Sequence, residues 1–198
     1  MASSVDEGGP DQQAAAMKPL SEQMAFYAAY HQDWRNRATH FIGVPAIAFA
    51  ILIPMAWLDI TFSGVRVSLA TAFTFAVLLY YVRLDIPLAV VTTVIFVPLL
   101  ATAEWVAVQG VQTGLAVFAV FFVGGWVFQL VGHVWERRRP ALADNLMQIF
   151  IAPLFLIAEV FFALGLKKAL AARVRDLVPN HLPQADGSEA PKTGANIA

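Results

Sequence analysis

Five apolar runs, residues 41–58, 65–82, 86–103, 115–135 and 147–166, decide what this chain can become. Each is about 18 to 21 residues long, or roughly 27 to 31 Å as a helix, and so matches a bilayer core of about 30 Å. Lipid offers no partner to backbone N–H and C=O groups, so such runs satisfy themselves as helices. The expected class is all-α: a multi-pass helical membrane protein with about four to five membrane-embedded helical segments and a short N-terminal amphipathic helix. The composition agrees, with 59% hydrophobic and 14% charged residues, against roughly 45–50% and 25% in soluble domains.

Around that apolar block the chain divides into a flexible N-terminal tail over 1–19, a helical membrane catalytic domain over 20–178, and a disordered tail over 179–198 rich in Pro, Gly and small polar residues. Residues 1–19 lack the apolar centre of a cleavable signal, so the first span is expected to direct insertion. A net charge of −1 argues against nucleic acid as a partner, which needs a concentrated basic face. The chain has no cysteine, which removes disulfides, thiolate metal sites and a catalytic thiol. Any metal must be held by nitrogen and oxygen.

Residues 20–31 read as an amphipathic helix opened by Ser21, lying on the membrane surface with Tyr27 and Tyr30 as interfacial anchors. Asp33 can cap a second helix that runs into the first span. A break near Gln32 is required if His31 and His40 are to share a site, because nine residues on one unbroken helix would point them about 180° apart. Kinks are expected at Pro87, Pro98 and Pro153. With a cytoplasmic N-terminus and four spans, the inner side collects Lys18, Arg35, Arg37, Arg83 and Arg137 to Arg139, and the outer side only Arg66. A fifth span would export Lys167, Lys168, Arg173 and Arg175, so residues 147–166 are expected to re-enter or lie shallow. Glu159 within them needs a partner that the sequence does not name. His181, in the tail, is expected to be solvated.

This topology brings His31, His40 and His133 to the same membrane face. Taken singly, each reads as a structural imidazole at the interface. Three on one face make a shared metal an equally good reading, since neutral imidazole suits iron, zinc or copper. Gly125, Gln129, His133 and Glu136 fall at i, i+4, i+8 and i+11, one stripe of one helix. Glu136 is a candidate ligand or an ion-pair partner of the arginines after it, and Gln129 and Asn36 are candidates to orient the imidazoles. Arg137 to Arg139 read as a positive-inside anchor or a carboxylate receptor. Gly124, Gly125 and Gly132 suit close helix packing.

Two blocks, FYAAYHQDWRNRATHFIGVP (26–45) and GWVFQLVGHVWERRRPALADNL (124–145), resemble the 2-hydroxy fatty acid dioxygenase family. The matching positions are Tyr30-His31, Asn36, His40, Val44-Pro45, Gln129, Gly132-His133, Glu136, Arg139-Pro140-Ala141-Leu142 and Asp144-Asn145-Leu146. The resemblance implies an Fe(2+) enzyme that needs His31, His40 and His133, with Glu136 as a further candidate ligand and Asn36, Gln129, Arg139 and Asn145 around metal or substrate. It implies that a long-chain 2-hydroxy fatty acid and O2 give the acid one carbon shorter, CO2 and water, as in fatty acid α-oxidation and phytosphingosine breakdown. Loss of the carboxyl carbon releases the four electrons that O2 takes up, so no obligatory reductase is expected. The expected home is the endoplasmic reticulum membrane in a eukaryote or the inner membrane in a bacterium, with the site facing the cytoplasm. Competing readings are a membrane fatty acid hydroxylase, which normally uses more histidines, a lipid transporter or lipid-binding scaffold without metal, and a zinc hydrolase.

Overall fold

The computed structural model describes residues 18–137 and 147–182. Its helices are α1 (Leu20–Ala29), α2 (Trp34–Met55), α3 (Leu69–Leu84), α4 (Ile86–Ala107), α5 (Val111–Glu136), α6 (Gln148–Ala163) and α7 (Lys168–Leu177), followed by a 3-10 turn, Val178–His181. A hairpin of β1 (Asp59–Phe62) and β2 (Val65–Ser68) joins α2 to α3, with Phe62 paired to Val65 and Asp59 to Ser68. The molecule is an all-α membrane protein apart from that hairpin. Three helices, α2, α4 and α5, are long and apolar enough to cross a membrane; α3 is a shorter apolar helix, and α6 and α7 form a pair bent by 118°.

The run expected over 65–82 is therefore divided. Ser63 and Gly64 both take positive φ, 49° and 80°, as a two-residue hairpin turn of the primed kind requires. Val65-Arg66-Val67 pair as strand, and the helix begins only after Ser68, whose side chain accepts from Thr71 N. Asp33 caps α2 by accepting from Arg35 N at 2.8 Å, and Arg35 holds the Asp33 carboxyl down at about 2, so the cap stays charged. Pro87 makes no kink, because it occupies the first turn of α4 where no intrahelical N–H is needed. Pro98 and Pro153 lie inside continuous helices.

The elements α2, α3, α4 and α5 run alternately between two ends. At one end are the start of α2, the turn at Asp85 and the end of α5; at the other are the hairpin and the α4–α5 turn, where Gly110 takes φ +110°. Trp34 and Trp135 mark the first end, with the Arg35 guanidinium 5.5 Å from the Trp135 ring, and Trp57 and Trp105 the second, as aromatic belts do at both interfaces. Helix α6 is tied to the first end throughout: Tyr81 Oη donates to Phe150 O at 2.6 Å, Arg37 pairs with Glu159 at 3.3 Å, and Lys167 pairs with Asp85. It lies across that end rather than carrying α7 to the other, and the basic residues of α7 stay with Lys18, Arg35, Arg37, Arg83 and Arg137. Arg37 is thus the partner Glu159 required.

Two differences concern the termini of the domain. Helix α1 packs into the protein: Met24 and Ala25 are fully buried, in a core with Tyr81, Leu88, Ile151, Leu154 and Phe155. Order continues past the boundary expected at 178, since His181 Nε2 sits 2.8 Å from Glu22 Oε1 and its ring packs edge-on against Phe26. A second core, around Phe49, Leu52, Ile53, Ala70 and Ala103, lies toward the hairpin.

The contact that sets the bundle is α2 on α5. A Cβ on Gly125 would lie 2.7 Å from Ile47 Cγ1, and one on Gly132 2.3 Å from Thr39 Oγ1 and 2.4 Å from Asn36 Oδ1. Gly124 meets nothing within 4 Å, so of the three glycines expected to pack, two do. Gly132→Ala should lower stability by about 1–3 kcal/mol through forced separation of the helices, read as a fall in Tm in detergent. Gly124→Ala should leave Tm unchanged.

Candidate metal centre

His31 follows α1 in the turn before α2, His40 is on α2, and His133 is near the end of α5. All three are buried, at 2%, 4% and 7% exposure. Their candidate ligand atoms lie within 4.8 Å of one another, and the ring centroids are 4.6 to 5.2 Å apart. The break expected near Gln32 is present between Ala29 and Trp34, and it turns His31 back toward His40.

The tautomers follow from the acceptors. His31 Nδ1 is 2.7 Å from Tyr27 O, and His40 Nδ1 is 2.8 Å from Asn36 O. A carbonyl oxygen only accepts, so both Nδ1 atoms carry the proton and both Nε2 atoms carry a lone pair. Those two Nε2 atoms are 3.1 Å apart. Neutral rings in these tautomers have no proton to share across that gap, and two facing lone pairs repel. A cation shared by the two lone pairs would remove the conflict, and His31, His40 and His133 would hold it. The three-nitrogen donor set fits a borderline transition metal. Burial, and after it the charge of His40, pushes the His31 imidazole well below its usual range, which keeps it in the neutral, ligating form.

Tyr27 was expected as an interfacial anchor and is a wall of the centre. Its ring is 4% exposed and stacks on His31 with centroids 4.0 Å apart and planes 6° from parallel, while burial, then the charge of Glu159, raises its phenol. Tyr30 is buried as well, stacked on Phe26. The available signal was the i, i+4 spacing of Tyr27 and His31.

Glu136, a candidate ligand on spacing, accepts hydrogen bonds on both carboxylate oxygens. Its Oε1 accepts from Gln32 N at 2.9 Å, and its Oε2 from Asp33 N at 2.8 Å and Asn36 Nδ2 at 3.1 Å. The carboxylate thus clasps the turn that carries His31 to the end of α5, and both its oxygens are engaged away from the imidazoles. Asn36 supports the centre through its carbonyl on His40 and its amide on Glu136. Arg139 and Asn145 lie outside the described residues, as does Arg138.

A cavity of about 220 Å³ opens from the histidines into the bundle, lined mainly by apolar side chains, with Tyr27, Gln129, Gln148 and Thr74 as further polar members of its wall. Gln129 Oε1 and Gln148 Oε1 are buried without a hydrogen-bond partner, which is costly unless a ligand or water supplies a donor. Gln148 is 4% exposed and was not singled out in the sequence, where it is one polar residue before an apolar run.

This arrangement defines a helical membrane protein with a buried three-histidine centre at the head of an apolar cavity. The chain belongs to the family described as 2-hydroxy-palmitic acid dioxygenase Mpo1-like, whose model matches residues 17–164. It is 34% identical over 156 residues to the 2-hydroxy-palmitic acid dioxygenase MPO1 of Saccharomyces cerevisiae, covering 77% of this chain and 86% of that one. No solved structure matches. The protein is accordingly an oxygen-using enzyme of the dioxygenase class.

Glu136→Gln should lower stability by about 1–3 kcal/mol, since one charged acceptor is lost from a pair of backbone donors, yet leave metal bound near wild-type stoichiometry by elemental analysis. The His31 shift gives a pH dependence. Below about 6.5 the unfolded chain takes up a proton that folded His31 refuses, so the metal-free protein keeps its full stability above that value and loses it as pH falls. Its Tm should be lower at about pH 5.5 than at about pH 7.5, and His31→Phe should shrink the difference.

Proposed function

We propose that this protein is an iron(II) dioxygenase that converts a long-chain 2-hydroxy fatty acid and O2 into the fatty acid one carbon shorter, CO2 and water. The observation that carries the reading is the pair of Nε2 lone pairs 3.1 Å apart, completed by His133 at the head of an apolar cavity. His31, His40 and His133 would hold the metal, and iron(II), when bound, supplies the one-electron chemistry that lets O2 react with a closed-shell acid. The name of the yeast relative supports the substrate class.

The chain's own residues account for the rest. Tyr27 O and Asn36 O fix both imidazoles with their free nitrogens turned inward. The amides of Gln129 and Gln148 meet the substrate's head group, one amide oxygen accepting from its hydroxyl and the amide N–H groups donating to its carboxylate. The apolar wall keeps bulk water from the reacting carbon. Arg139 and Asn145 are proposed as head-group contacts from the family pattern. The balance is closed: the carbon bearing the hydroxyl becomes the new carboxyl, the old carboxyl leaves as CO2, and the four electrons the acid gives up are those that reduce O2, so no reductase is needed. The clustering of Lys and Arg at the histidine end supports a site on the cytoplasmic side.

Anaerobically purified protein given iron(II), a 2-hydroxy acid and O2 should turn over repeatedly without NADH or 2-oxoglutarate, with O2 consumed and product formed one to one. CO2 should carry the label of the original carboxyl carbon. Single replacement of His31, His40 or His133 by Ala should abolish turnover and lower bound iron, while wild-type iron content in all three would end the proposal. Gln148→Leu should retain iron and raise KM for the 2-hydroxy acid roughly tenfold, the loss of one buried hydrogen bond of about 1–1.5 kcal/mol.

A further inference from the structure

The long axis of the cavity is written along α2. His40, Val44, Ile47, Ala48, Ile51 and Leu52 all line it, at i, i+4, i+7, i+8, i+11 and i+12, one face of a single helix. Twelve residues advance about 18 Å, the length of an extended alkyl chain of roughly fourteen carbons. The imidazoles, Tyr27 and Gln129 stand at one end, and beyond them Thr74, whose buried hydroxyl has no partner, is a polar point on the wall beside Phe73. The other end is closed by core: Leu52 is 3% exposed within the hairpin-side cluster, Phe73 packs on that same cluster, and its ring lies 6.2 Å from that of Phe150.

We propose that Leu52 and Phe73 are the stop of this cavity, a sleeve for the acyl chain, and set the longest chain it takes, about sixteen carbons with the head group, which is the length of the palmitic acid in the yeast relative's name. The assignment rests on the reading above, which puts the head group at the histidines. Lipid is as apolar as the sleeve, so a chain drawn from the bilayer gains little per methylene. Selection is therefore by exclusion: shorter chains are accepted almost equally, and longer ones meet side chains of a packed core. Ala48 stands eight residues from His40, about 12 Å along the sleeve, where a large side chain would shorten it.

The test is equilibrium binding of radiolabelled straight 2-hydroxy acids of ten to twenty-four carbons to the full-length iron-loaded protein without oxygen, paired with kcat/KM for the same acids in air. Expected is near-constant affinity up to about sixteen carbons and at least a tenfold fall by about twenty. Leu52→Ala and Phe73→Ala should move the break up by two to four carbons and Ala48→Phe should move it down. Should an alanine variant fail to fold, Phe73→Leu carries the same sign. A break in binding that moves with these variants while turnover is absent would keep the sleeve and discard the dioxygenase reading. Turnover with no dependence on chain length, in wild type and variants alike, would overturn the sleeve and leave the tail in the bilayer.

Discussion

The close approach of α2 and α5 governs everything at the histidine end. In a membrane two helices gain little by hiding apolar surface from lipid, so their packing must come from fit and from polar contacts. Here Gly125 and Gly132 remove the side chains that would hold the backbones apart, and the spacing they allow puts His133 beside His40 and Glu136 beside the turn before α2. Two of the three imidazoles are thereby fixed by rigid helices, and the turn that carries the third is clasped to α5 by Glu136, which holds residues about a hundred positions apart in one centre.

Charge is distributed by the same logic. Glu136 meets two backbone N–H groups and an amide, and Glu159 meets Arg37. Both carboxylates are therefore met by donors on α2 or in the turn just before it. At the far end Arg66 reaches Asp59, Glu104 and the Ala56 carbonyl, tying the hairpin to the ends of α2 and α4. The lipid-facing surfaces of α4 and α5, by contrast, carry exposed valines such as Val94, Val120 and Val127.

Much of this was legible because a bilayer restricts where polar residues can sit. His31, His40 and His133 converge once the spans are counted, and the stripe of Gly125, Gln129, His133 and Glu136 does face α2. What the stripe could not tell is which atom Glu136 would seek; that depends on two backbone amides in a turn whose path periodicity does not encode. Tyr27 was misread because an aromatic residue at a membrane boundary looks the same whether it anchors to head groups or stacks on an imidazole. The hairpin was hidden in an apolar count, although Ser63-Gly64 is an ordinary turn signal. Gln148 and the cavity were invisible, since a void is a property of several helices at once.

The clasp of Glu136 on Gln32 and Asp33 joins residues 103 to 104 positions apart, and this orders events on the ribosome. Chain grows from the N-terminus, so α1, His31 and His40 enter the membrane long before α5 exists. Until that last crossing arrives, the nascent protein has one imidazole on an untethered turn, one on α2 and no third. Completion of the three-histidine cluster is therefore withheld until synthesis of the membrane domain is nearly done.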